Sequence, residues 1–124
     1  MTTVQFRIPI YDWGITVIII DSKEDSEVVK ELFEEFRISD DEALYNIENE
    51  NFNGGETYTN ANLKKGLILI YRCETTNDFH RVLNHEKRHL MDRIGTIICI
   101  RDEMETMAYL DGYVSEKIYQ SVLL

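Results

Sequence analysis

The sequence predicts a single α+β domain in which a small, mainly antiparallel sheet packs against three helices. The first half of its 124 residues contains short β-branched and apolar runs separated by turn signals. The second half contains two long stretches with apolar residues at helical spacing. A chain of this length is close to the common domain size, so we predict one domain over residues 1–124.

The first two strands are predicted over residues 4–10 and 15–20. The second run, ITVIII, is continuous and β-branched, which is typical of a strand buried on both faces. Asp12 and Gly14 form a turn signal between the runs, so the two strands should form a hairpin. Residues 23–36 then alternate apolar and charged side chains at helical spacing, which predicts an amphipathic helix that covers the sheet.

The middle of the chain predicts one irregular segment followed by two more strands. Residues 38–56 are acidic, rich in asparagine and contain Gly54-Gly55, so we expect a long and mostly irregular connection. The runs ETYTNA and GLILIYR follow as strand candidates, and the second has the stronger pattern. That second strand is a candidate to pair with an extended peptide backbone.

Two helices are predicted in the second half. The first has Thr75 or Thr76 as its N-cap, continues to about Ile94 and ends at Gly95. The last helix follows Asp102, which can cap it, and extends almost to the C-terminus. A glycine inside this last helix, at position 112, suggests close packing there.

The charge of the chain limits its partners. Its formal net charge of −10 opposes contact with phosphate, so we expect no binding of nucleic acid. The N-terminus lacks the features of a signal peptide, and no apolar run approaches the roughly 20 residues that span a bilayer. We therefore expect a cytoplasmic protein with no membrane partner.

The segment HEKRH at residues 85–89 is an HExxH motif. His85 and His89 lie one turn apart on the same helix face and can both reach one Zn²⁺ at about 2.0–2.1 Å. Glu86 would face the water on that metal rather than the metal itself, and can take its proton as a general base. The motif therefore indicates a candidate zinc site that hydrolyses a bond, and an ordinary polar helix with the same spacing is the other interpretation.

The helix around the motif supports this interpretation. Glu86 falls on its apolar stripe, where an ionised carboxylate is costly unless it is paired or functional. Lys87 and Arg88 fall on the outer side, where solvent can surround their charges. The stripe itself consists of Phe79, Val82, Leu83, Leu90 and Ile94.

A catalytic zinc ion needs a third protein ligand beside one open position. A carboxylate from a second helix folded back on the first is the natural geometry, and Glu103 and Glu105 stand at the start of that helix. Asp102 and Glu105 also have the spacing of a capping box, which needs no metal. The spacing alone leaves both interpretations open. The acidic candidates downstream of the motif are Asp92, Asp102, Glu103, Glu105 and Asp111.

HEKRHLMDRI followed by DEMETMAYLDGY resembles a group of small HExxH proteins encoded by bacteriophages and related mobile elements, which are assigned as zinc metallopeptidases by motif. The opening IPIYDWGITVIII is similar to the first hairpin of that family. The resemblance implies a minimal zincin-like fold and a gluzincin-like site. In such a site His85, His89 and Glu105 bind zinc, and Glu86 is the general base.

These observations together predict a zinc-dependent metallopeptidase that acts on a peptide or protein. Tyr109 lies one turn after Glu105 and is a candidate donor for the oxyanion that forms, although it could equally be a core aromatic residue. Two other functions remain open. The chain could be a zincin-like module without activity, or an acidic interaction protein such as a DNA mimic.

Overall fold

The computed structural model describes residues 1–9, 11–100 and 103–122. These residues form an α+β fold with the element order ββααββαα, and none of their helices is long and apolar enough to cross a membrane. A short 3-10 helix, Lys23–Asp25, precedes the first α-helix. The strands are β1 (Thr2–Ile8), β2 (Trp13–Ile20), β3 (Gly55–Asn60) and β4 (Lys65–Tyr71); the helices are α1 (Ser26–Phe36), α2 (Asp41–Glu48), α3 (Thr76–Ile97) and α4 (Met104–Val122).

The four strands form one sheet in the order β1-β2-β4-β3. The pairs β1–β2 and β3–β4 are antiparallel and β2–β4 is parallel, so the sheet is mainly antiparallel, as predicted. The predicted hairpin is confirmed by the register of β1 and β2, in which Ile8 lies opposite Trp13. The expectation that β4 pairs with a peptide is wrong, because β2 and β3 occupy both of its edges.

Helices cover both faces of this sheet. Alternate residues of a strand point to opposite faces, so Ile15 and Val17 of β2 face a core shared with α3 and α4. Ile18 and Ile20 face a second core shared with α1 and α2. The prediction that this strand is buried on both faces is therefore confirmed.

The segment before β3 is more regular than its sequence suggested. Instead of a mostly irregular connection over residues 38–56, it contains α2, so two helices rather than one cover this face. Asp40 caps α2 by accepting a hydrogen bond from the Ala43 amide at 3.1 Å, and it also accepts one from the Tyr58 hydroxyl at 2.6 Å. The helix has only two turns, so its buried Ala43 and Ile47 are too few to make a clear helical pattern.

The two long helices are largely as predicted. Thr75 caps α3, since its hydroxyl accepts a hydrogen bond from the Asp78 amide at 3.1 Å. The helix continues to Ile97, past the expected end, so Gly95 lies buried inside it. Asp102, the expected cap of α4, lies outside the described residues. The expectation of close packing at Gly112 is wrong, because a Cβ there would meet nothing within 4 Å.

Gly55 allows β3 and α3 to approach each other closely. A Cβ at this position would lie 2.6 Å from the main-chain oxygen of Leu69 and 3.0 Å from Cγ of Glu86.

Gly55→Ala should therefore destabilise the protein by about 1–3 kcal/mol, the usual cost of overpacking. Gly112→Ala is the control, and it should stabilise α4 by up to about 1 kcal/mol. Urea unfolding of both variants tests this, and a wild-type midpoint for Gly55→Ala would contradict it.

Candidate metal centre

His85 and His89 form a close pair on the exposed side of α3. Their Nε2 atoms lie 3.1 Å apart, and their ring planes are almost perpendicular, at 89°. Both side chains are exposed to solvent. The i, i+4 spacing predicted from the sequence thus brings two imidazole nitrogens to one point at the surface.

Glu86 lies beside this pair but points into the protein. The residue is only 5% exposed, and one of its carboxylate oxygens and one ring nitrogen of each histidine all lie within 4.8 Å of one another. The Thr57 hydroxyl lies 3.3 Å from Oε1 of Glu86 and 3.1 Å from its main-chain oxygen. The position of Glu86 on the buried stripe of the helix therefore agrees with the sequence pattern.

The three side chains border a cleft of about 480 Å³ between α3 and the start of β3. Asn53, Gly54 and Gly55 contribute to its wall on the strand side, and Arg81 contributes to it one turn before His85. Arg81 is largely exposed and lies 3.5 Å from the Asp78 carboxylate. The histidine pair can therefore be reached from solvent through a polar cleft.

The histidine pair fits the geometry of a zinc site. Two ligands at 2.0–2.1 Å in a tetrahedral arrangement are separated by about 3.3–3.4 Å. The observed separation of 3.1 Å between the Nε2 atoms is close to this value, and it is also the length of a hydrogen bond between the two imidazoles. Neither Nδ1 atom has a hydrogen-bond partner among the described residues.

The structure does not bring Glu105 to the histidines. Among the described residues, the group that could hold a metal consists of His85, Glu86 and His89 alone. Glu105 lies exposed in the first turn of α4. Of the other acidic candidates, Asp92 and Glu103 are exposed and outside the group.

The packing of α4 explains this separation. Lys87 donates a hydrogen bond to Ser115 Oγ at 2.6 Å and lies 3.5 Å from the Asp111 carboxylate. Tyr119 donates to the Asn84 side chain at 3.0 Å. Helix α4 thus contacts the face of α3 that carries Asn84 and Lys87, rather than the histidine side. The expectation that Lys87 is solvated is wrong, since its side chain is only 13% exposed.

Tyr109 is also away from the histidine pair. Its side chain is 74% exposed and lines a separate apolar cleft of about 490 Å³. Ile8 and Tyr11 form part of the opposite wall of that cleft. Tyr109 is therefore neither the core aromatic residue nor a neighbour of the histidines in this structure.

Sequence reasoning missed the contribution of β3 to this site. Thr57 bonds Glu86, and the main-chain oxygen of Thr57 accepts a hydrogen bond from the Arg93 guanidinium. The only signal in the sequence was Glu86 itself, since a buried carboxylate requires a donor. The identity of that donor depends on which strand packs against α3.

The negative charge of the protein is concentrated in one segment, whose two helices cover the other face of the sheet and whose end reaches the histidine cleft. Residues 21–56, which include α1 and α2, contain 13 acidic and three basic residues. The remainder of the chain contains ten of each. We call residues 21–56 the acidic layer; it accounts for the entire net charge of −10, and the part that carries the histidine pair is neutral overall.

The Glu56 carboxyl is affected by its burial and by the negative charges around it. Partial burial raises the pKa of its carboxyl above the usual 4.5, and the charges of Asp40, Glu86 and Glu42 raise it further, against the effect of Arg93. The native state therefore holds this proton more firmly than the unfolded chain does. Stability is lost as the pH rises from the unfolded pKa through the raised native one.

Glu56→Gln should remove this loss of stability at high pH, because glutamine carries no titrating carboxyl. The variant should be more stable than the wild type at pH 7, and the difference should disappear below the ordinary glutamate pKa of 4.5. Thermal unfolding across this pH range measures the effect. Glu48→Gln, which removes an exposed charge from the same layer, is the control for net charge. A stability difference for Glu56→Gln that does not change with pH would contradict this assignment.

Comparison of the chain with protein-family models, curated proteins and solved structures gives no match. The geometry of the histidine pair, Glu86 and β3 is therefore the basis on which a function can be proposed.

Proposed function

We propose that this protein is a zinc-dependent metallopeptidase. The observation that carries this proposal is the pair of Nε2 atoms 3.1 Å apart, with a buried carboxylate in the same 4.8 Å group. In the proposal His85 and His89 hold the zinc ion, and Glu86 is the general base. Imidazole nitrogens are ligands that suit zinc, and the solvent-exposed cleft allows the ion to enter.

The burial of Glu86 favours a role as base rather than as ligand. Its carboxylate is held on the buried side by Thr57, whereas both histidines point outward. A bound zinc ion would polarise the scissile carbonyl and lower the pKa of a water molecule at the site. Glu86 would accept the proton of that water and later return it to the leaving amine. Its low exposure suits this role, because bulk water competes little for the proton.

The open edge of β3 supports a peptide substrate. This strand is at the end of the sheet, and its first residues border the cleft beside the histidine pair. An extended peptide can add to such an edge through main-chain hydrogen bonds, here at the start of β3, because the Arg93 guanidinium already donates to the main-chain oxygen of Thr57. We propose that the substrate lies along β3, which replaces β4 as the strand that pairs with it.

The third zinc ligand remains a separate proposal. Glu105 is proposed because the resemblance to the small HExxH proteins implies it, and it lies outside the histidine group. Its coordination would require the first turn of α4 to move toward His89 when zinc binds. The assignment of Glu105 can therefore fail while that of the two histidines holds.

Zinc titration calorimetry separates these roles. His85→Ala and His89→Ala should abolish stoichiometric binding, because each removes one of the paired imidazoles. Glu86→Gln should bind zinc as the wild type does. Glu105→Ala should weaken binding if Glu105 is a ligand, and the nearby exposed Glu103→Ala serves as its control. Unchanged zinc binding by His89→Ala would contradict the proposed site.

Hydrolysis provides the second test. Glu86→Gln should lower kcat by roughly 10²–10⁴-fold, the usual contribution of a general base. The measurement is cleavage of a mixed peptide library by the zinc-loaded protein, followed by mass spectrometry. Full activity in Glu86→Gln would exclude the mechanism, and a zinc-loaded wild type that cleaves no peptide would contradict peptidase activity.

The acidic layer favours a second candidate function, in which the protein binds a basic partner as a DNA mimic does. The observation behind it is the location of the entire net charge within residues 21–56. Binding of a DNA-binding domain should then weaken steeply with salt. Glu27→Gln, Glu31→Gln and Glu34→Gln, all on the exposed side of α1, should weaken it further, and Glu86→Gln should not. Binding that ignores salt and these variants would exclude this candidate.

A further inference from the structure

The carboxylate of Glu86 is anchored by a single side chain. Thr57 points from β3 toward α3, and its hydroxyl lies 3.3 Å from Glu86 Oε1 and 3.1 Å from the main-chain oxygen of the same residue. Within residues 1–9, 11–100 and 103–122, no other group donates a hydrogen bond to this carboxylate. Among the described residues, the buried Glu86 carboxylate therefore depends on the Thr57 hydroxyl as its hydrogen-bond donor.

Thr57 is itself held firmly against α3. The Arg93 guanidinium, two turns after Glu86 on the helix, donates to the main-chain oxygen of Thr57. Gly55, two residues before Thr57, has no side chain, so Glu86 can pack close to the strand there. A Cβ at Gly55 would lie 3.0 Å from Cγ of Glu86. The strand is thus fixed to the helix at residues on both sides of the Thr57 hydroxyl.

The hydroxyl has one proton and two acceptors within reach. The main-chain oxygen of Glu86 already accepts a hydrogen bond inside the helix. An ionised carboxylate gains more from a donor than a carbonyl does, so Oε1 is the favoured acceptor. A bond to Oε1 fixes one oxygen of the carboxylate and leaves the other free to accept a proton.

We propose that Thr57 is a positioning residue that holds the Glu86 carboxylate beside the histidine pair in the orientation required of a general base. Without this anchor the side chain can adopt other rotamers, some of which turn the carboxylate away from the water or onto the metal. The catalytic meaning of this inference rests on the proposed function. The positioning itself can be measured in the metal-free protein.

Nuclear magnetic resonance of the metal-free protein tests the positioning directly. Scalar couplings across χ1 and χ2 of Glu86 should report one rotamer in the wild type and in Thr57→Ser, which keeps the hydroxyl. Thr57→Val keeps the shape but loses the hydroxyl, and its Glu86 couplings should be averaged. Thr59→Val makes the same change two residues along the same face of β3 and should leave Glu86 fixed.

Two results would overturn the inference. One is a single Glu86 rotamer in a folded Thr57→Val variant. The other is averaged couplings in the folded wild type, which requires no variant to fold.

The zinc-loaded protein supplies a second readout. Thr57→Val should lower kcat by roughly 10²-fold with little change in KM, as expected for a misplaced catalytic group, and Thr57→Ser should recover most of it. A purely structural role would reduce the amount of folded protein and leave kcat per folded molecule unchanged. If the wild type cleaves no peptide, the proposed function fails, and the Glu86 rotamers still decide the role of Thr57.

Discussion

The burial of Glu86 between α3 and β3 is the constraint on which the candidate site depends. A carboxylate at this depth is costly unless a donor meets it, and Thr57 provides that donor at 3.3 Å. The close approach at Gly55 makes this contact possible. Since Glu86 faces the strand, the helix is rotated so that His85 and His89 face the solvent at the open end of the sheet. The buried stripe of α3, which also contains Val82, Leu83, Leu90 and Ile94, thereby sets the direction of all three motif side chains.

The same rotation determines how the second long helix can contribute. With Glu86 facing β3 and the histidines facing the solvent, the surface of α3 that remains for α4 carries Asn84 and Lys87. Lys87 is drawn into that contact by Ser115 and Asp111, and Tyr113 donates a hydrogen bond to the Arg7 main-chain oxygen at 3.0 Å. Helix α4 is thus tied to both α3 and β1, and its packing separates the acidic first turn from the histidines.

The sequence predicted those features that depend on local pattern. The β-branched run of β2, the turn before it and the Thr75 cap identified their elements because the signals lie within a few residues. The two turns of α2 were too short for such a signal.

Helical spacing identified His85, Glu86 and His89 as one group, because they share one helix. Helical spacing does not show which side of α3 packs against α4. The positions of Glu105 and Tyr109 therefore could not be predicted from the sequence. The pairing of Thr57 with Glu86 joins residues 29 apart and depends on the packing of α3 against an edge strand.

Zinc binding by His85 and His89 is the property on which the proposed function depends. X-ray absorption spectroscopy at the zinc edge, on protein loaded with one equivalent of zinc and then freed of excess metal, tests this most directly. We expect retained zinc with two imidazole nitrogens among its neighbours at about 2.0–2.1 Å. Loss of the metal, or retained zinc surrounded only by oxygen atoms, would contradict it.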